Sequence, residues 1–185
     1  MMPIDVRHFS FMLEQEPAFI TILMFSLLGW MVLLIGTKAS RHRRYQRQAQ
    51  RILDRLPRLA GDGQRLNYLG KINPYVFEEL LLTAFERRGY RIQRNRRYSG
   101  DGGLDGQVWI EGQHYLIQAK RYARAITPAH VAEFGALVRR EGCQGLFVHT
   151  GRTGPKSRAA LARFPEIELL SGQRLLELLK KDIPA

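Results

Sequence analysis

Hydrophobic positions fall into two regimes along the chain. From residue 17 to residue 37 they are nearly continuous, and no side chain in that run is charged. A helix rises about 1.5 Å per residue, so a run of this length matches a hydrocarbon layer of roughly 30 Å. It reads as a membrane-spanning helix, preceded by a short extracytoplasmic N-terminus at 1–16. From Lys38 to Leu56 the pattern is basic and helical, ending at Pro57. Residues 57–72 hold Pro57, Gly61, Gly63 and Gly70 and read as a linker, so 38–72 is expected to be a basic juxtamembrane helix and linker.

Beyond residue 73 the apolar positions become periodic. Asn73-Pro74 offers a capping side chain followed by proline in the first turn, and Val76, Phe77, Leu80, Leu81, Ala84 and Phe85 make a helical stripe that Gly89 closes. Tyr90 to Arg94 alternates as a strand. Ser99 to Gly103 is a glycine-rich turn. Leu104–Ile110 and His114–Lys120 are strands joined by Glu111-Gly112-Gln113 as a hairpin. Thr127-Pro128 opens a second helix with Val131, Phe134, Leu137 and Val138 on one face. A short strand over 146–149, a helix over 155–164, a strand over 167–170 and a last helix capped by Ser171 complete the order. The expectation is α/β: αβββαβαβ plus a C-terminal helix. A hairpin followed by two βα crossovers predicts a mixed sheet with helices on both faces. Residues 73–185 are enough to bury a working core without disulfides or metals.

Charge adds direction. The chain carries 29 basic and 17 acidic residues, a net +12, but residues 1–17 are slightly acidic and the positive charge lies almost wholly after residue 37. The flank after the apolar run holds Lys38, Arg41, Arg43, Arg44, Arg47 and Arg51, against Arg7 alone before it. The positive-inside rule then places the C-terminal domain in the cytoplasm, on a single-pass anchor in the inner membrane. The acidic start and basic finish also oppose a cleaved signal peptide. A basic domain suits a polyanionic partner, nucleic acid or anionic lipid; a solvated basic surface without a specific partner is the plain alternative. A single cysteine, Cys143, permits no intrachain disulfide and reads as a small core or turn residue.

Two short signals carry chemistry. Gly100-Asp101-Gly102-Gly103-Leu104-Asp105-Gly106 is a glycine-rich turn that enters a strand with an acid, and Gln118-Ala119-Lys120 ends the next strand. Alternation puts Gln118 and Lys120 on one face, and an antiparallel hairpin brings Asp105 beside them. Phosphodiester hydrolysis needs a hard cation to stabilise phosphoryl charge and a group to position or deprotonate water. Mg²⁺ takes oxygen ligands. Asp105 offers a carboxylate, Gln118 an amide oxygen and Ala119 its carbonyl, with Glu78 on the first helix as a further acid. Lys120 is a donor for the attacking water or the phosphate. Each residue alone has a plain alternative: a turn acid, an outward polar side chain, a solvated strand end. Arg87, Arg88, Arg91, Arg94, Arg96 and Arg97 are candidate phosphate contacts or a solvated basic face. His114 and His130 have no partner at metal-ligand spacing.

Phe77-Glu78-Glu79-Leu80-Leu81, Arg88-Gly89-Tyr90, Gly100 to Asp105, Gln118-Ala119-Lys120-Arg121-Tyr122 and Gly145 to Gly151, in that order, resemble the Mrr-type restriction endonuclease domain of the PD-(D/E)xK superfamily. The resemblance covers about residues 73–180. It implies a restriction-endonuclease-like fold and cleavage of DNA with Mg²⁺, or Mn²⁺ in its place, and no small-molecule cofactor. Asp105, Gln118 and Lys120 match the catalytic positions; Glu78 matches the helix acid after Phe, with Glu79 as second choice. His149 stands where Thr is common. The expected function is a membrane-anchored, metal-dependent DNA endonuclease; the alternative is an inactive, membrane-tethered DNA-binding module.

Overall fold

A computed structural model describes residues 6–95, 104–121 and 126–180, with side-chain surroundings for 20–31 and, from residue 40 on, for all of these. The chain divides into two compact units, Met1–Arg44 and Tyr45–Ala185. Helix α1 (Val6–Arg55) runs through the first and contributes its last turns to the second. Among the described residues no helix is long and apolar enough to cross a membrane. Of the expected span 17–37, only 20–31 have described side chains. There Ile20, Ile22, Leu23, Met24, Phe25, Leu27, Leu28, Trp30 and Met31 are each at least half exposed.

The second unit is a five-stranded mixed sheet between helical layers. Its elements are α2 (Gly61–Leu69), α3 (Pro74–Arg87), β1 (Arg91–Arg94), β2 (Gly106–Ile110), β3 (Gln113–Lys120), α4 (Pro128–Glu141), β4 (Gln144–His149), α5 (Pro155–Leu161), β5 (Ile167–Leu170) and α6 (Gly172–Leu179). Strand order follows the chain: β1, β2 and β3 pair antiparallel, and β3, β4 and β5 pair parallel. The expected element order and mixed sheet are those observed. Asn73 caps α3 by accepting from the Tyr75 N–H at 2.9 Å, and Thr127 caps α4 from the His130 N–H. Ser171 precedes α6 but makes no side-chain cap.

The stretch expected as a linker is structured instead. Leu56–Arg58 is a 3-10 turn and 61–69 is α2. Of the glycines that suggested a loop, Gly61 opens the helix at positive φ, Gly63 lies in its first turn, and Gly70 closes it. The end of α1 is equally part of the fold. Ala49, Ile52, Leu53 and Leu56 are buried with Leu69, α3, α6 and the inner face of β2–β4, namely Val108, Ile117, Ala119, Leu146 and Val148. The opposite sheet face puts Leu116, Phe147 and Ile167 against Val131, Phe134 and Val138 of α4. Two helical layers thus clamp the sheet, and burial on both sides explains the unbroken apolar run of β4.

Candidate active site

The site is built at the shared end of β2 and β3. In the hairpin Gly106 lies opposite Ile117, and Asp105, one residue before the strand, also faces Ile117, donating its N–H to the Ile117 carbonyl at 2.9 Å. Alternation puts Gln118 and Lys120 on one face of β3. The Asp105 Oδ2 accepts from the Ala119 N–H at 2.6 Å. N–H and C=O of one strand residue point to the same side, so the Ala119 carbonyl is directed toward the β2 edge where Asp105 stands. The hairpin thus brings the Asp105 carboxylate to the backbone of the Gln118-Ala119-Lys120 segment. Gln118 is 2 % exposed.

Helix α3 supplies the second acid. It lies so close to β2 that a Cβ at Gly106 would come within 2.6 Å of the Leu82 side chain. The paired acids on this helix take different tasks. Glu79 is buried, and its Oε2 accepts from Arg94 Nε at 3.0 Å; Arg94 also forks onto Glu86. Glu78 is instead coupled to the site. Its pKa is pushed from 4.5 up to about 8, first by burial, then by the charges of Asp105 and Glu79, with Lys120 pulling it back. Asp105 is pushed from 3.8 up to about 6 by burial, opposed by the Ala119 N–H and by Lys120. Asp105 ionises first, and its charge then opposes ionisation of Glu78. Near neutral pH the site holds one carboxylate and one carboxylic acid.

On β4, His149 lies beside Lys120 in the parallel register. It is fully buried, its Nε2 is 2.9 Å from Thr153 Oγ1, and burial pulls its pKa down, so it is a neutral wall to the lysine. Sequence spacing does not signal the Thr153 contact, because the partner comes from a turn after the strand. The glycine-rich turn 99–103 and Arg96 and Arg97 lie outside the described residues.

The donor set suits a hard divalent cation: two carboxyl groups, an amide oxygen and a carbonyl, all oxygen. Among the described residues no group of three or more His, Cys, Asp or Glu is placed to hold a metal ion. Mg²⁺ does not need one, since it keeps several waters and binds through one or two carboxylates. The mutual repulsion of Asp105 and Glu78 is the strain that a cation between them would relieve.

The family described as restriction endonuclease, the Mrr catalytic domain, matches residues 69–179. A solved structure of the restriction endonuclease FokI is similar at 16% identity and a TM-score of 0.48, covering 62% of this chain. The chain spans 26% of the FokI chain. No curated protein matches.

Proposed function

Because the chain belongs to the restriction endonuclease family of the Mrr type, we propose that it is a DNA endonuclease that hydrolyses phosphodiester bonds with a divalent cation, Mg²⁺ or Mn²⁺. The observation that supports this reading is the hydrogen bond that ties the Asp105 carboxylate to the Ala119 N–H, between Gln118 and Lys120, with Glu78 coupled through space to both Asp105 and Lys120. Asp105, Glu78, Gln118 and the Ala119 carbonyl would hold the cation. When bound, it would offset charge on the phosphoryl oxygens and lower the pKa of a coordinated water.

The protein's own groups do the rest. Asp105 is fixed by the Ala119 N–H, so its free oxygen faces the site without a search over rotamers. Glu78 holds its proton at rest and would have to release it to serve as a charged ligand of the cation. Lys120 donates to the scissile phosphate or to the attacking water from a strand end. Gln118 contributes oxygen without charge.

We further propose that the apolar stretch 17–37 anchors the chain in the cytoplasmic membrane, with the basic domain on the cytoplasmic side. The support is a helix with large apolar side chains exposed all round over 20–31, followed by six basic residues between 38 and 51. Such a surface has no stable place in water.

The test is plasmid nicking by the full chain with Mg²⁺, with Mn²⁺ and with EDTA, beside Lys120→Ala and Asp105→Ala. Cleavage should need the ion and fall by about a hundredfold or more in each variant. Ion-dependent cleavage that survives in both variants would refute the assignment. DNA binding with no cutting under any ion would favour an inactive binding module instead.

A further inference from the structure

The six arginines between 87 and 97 looked alike in sequence as phosphate contacts. The structure separates those it describes. Arg87 pairs with Asp54 at 3.1 Å, Arg88 donates to the Glu177 carbonyl, and Arg94 is held by Glu79 and Glu86. These three side chains are engaged within the fold. Arg91 differs: it is exposed, and among the described residues no carboxylate pairs with it. Its guanidinium carbon lies 4.4 Å from the centre of the Trp109 ring.

That ring is also held from its other flank. Arg91, Trp109 and His114 are cross-strand neighbours on β1, β2 and β3, with Arg91 opposite Trp109 and Trp109 opposite His114. The indole and imidazole stack with centroids 4.8 Å apart and planes 11° apart. Gln107 fixes the imidazole, its Oε1 lying 2.7 Å from His114 Nε2. The result is a row of arginine, indole and imidazole across three strands, outside both hydrophobic clusters. Stacking holds the guanidinium but leaves its N–H groups pointing to solvent, so little side-chain entropy remains to be lost when it binds an anion.

The row shares a face with Gln118 and Lys120. Gln107 and Trp109 alternate along one side of β2, as do His114, Leu116, Gln118 and Lys120 along β3, where Leu116 is packed under α4 and β1 and β2 carry the open part of that face. Asp105 stands one residue before β2. Four residues separate Asp105 from Trp109, about 13 Å along the strand. A polynucleotide with its scissile phosphate at Lys120 and Asp105 would pass Arg91 within a few nucleotides.

We propose that Arg91, held by Trp109 and His114, is a fixed phosphate contact for the nucleic-acid strand flanking the bond to be cut. This rests on the endonuclease reading. Both faces of the indole are covered, so base stacking on it is disfavoured and the contact is to the backbone, blind to sequence.

The experiment uses the full chain in mild detergent and EDTA, with a labelled duplex oligonucleotide read by anisotropy across a salt series. Arg91→Ala should weaken binding about tenfold and lower the salt slope by about one. Arg91→Lys should keep the slope, because the charge remains. The chain has two tryptophans, so Trp30→Phe leaves Trp109 as the sole emitter, and its fluorescence should change as DNA saturates. That readout leaves the stacked row intact and does not depend on how Arg91→Ala folds. Tight DNA binding with unchanged Trp109 emission and an unaltered slope in Arg91→Ala would overturn the contact and leave the nuclease reading standing. Absence of DNA binding by the unaltered chain at low salt would overturn both.

Discussion

Replacing Glu78 by glutamine should make the protein more stable, and more so as pH rises. The folded domain holds the Glu78 proton up to about pH 8, whereas an unfolded chain releases it near 4.5. A carboxyl raised in this way favours folding only below its unfolded pKa, and that contribution is lost as pH climbs toward the folded value. Asp105 has the same sign but finishes its change by about pH 6. His149 has the opposite sign, since its pKa is lowered, and its effect fades above about 6.5. Between pH 6 and 8 the difference between the parent and Glu78→Gln therefore isolates Glu78. Nearly one extra proton is bound by the folded state across much of that window. The glutamine variant should gain about 2 kcal/mol over the parent between pH 6 and pH 8. Urea unfolding of both chains at pH 6, 7 and 8, without divalent ions, measures it. A constant difference across the three pH values would refute the coupling of Glu78 to burial and to Asp105. Cleavage should meanwhile fall in the same variant, which separates a functional acid from a stabilising one.

Two further substitutions test the supports of the site. Arg94→Ala leaves Glu79 buried beside α3 without its ion partner, and should lower stability by about 3 kcal/mol or more by chemical denaturation; a loss under 1 kcal/mol would mean that Glu79 finds water. Gly106→Ala puts a methyl group against buried Leu82, so about 1–3 kcal/mol should be lost, with cleavage falling further than stability explains because Asp105 is the next residue.

The parts read most surely from sequence were those in which local chemistry and long-range packing agree. Asn73-Pro74 and Thr127-Pro128 start helices because cap and proline act within one turn, and the β2–β3 hairpin follows from two alternating runs around Glu111-Gly112. That Asp105 reaches the Ala119 backbone follows from the same antiparallel turn. What sequence could not give was tertiary. Residues 57–72 look like a loop by their Pro and Gly, yet Leu56 and Leu69 are core residues, because α3, α6 and the end of α1 leave an apolar surface for them to cover. The pairing of Arg94 with Glu79, fifteen residues away, and the isolation of Arg91 three positions earlier, have no signal in a run of similar arginines.

The identity of residue 118 follows from the same electrostatics. It precedes Ala119, whose N–H holds Asp105, and is 2 % exposed, so a glutamate there would be a third buried acid near two whose pKa values are already raised. Each added negative charge would push its neighbours toward protonation rather than toward three carboxylates. An amide keeps a ligand oxygen at that position while adding no charge to the repulsion. The cost is weaker attraction for a cation, which Glu78 can offset only by releasing its proton. Cation affinity at this site should therefore rise with pH until Glu78 is ionised, and glutamine at 118 makes the helix acid a needed partner rather than an accessory.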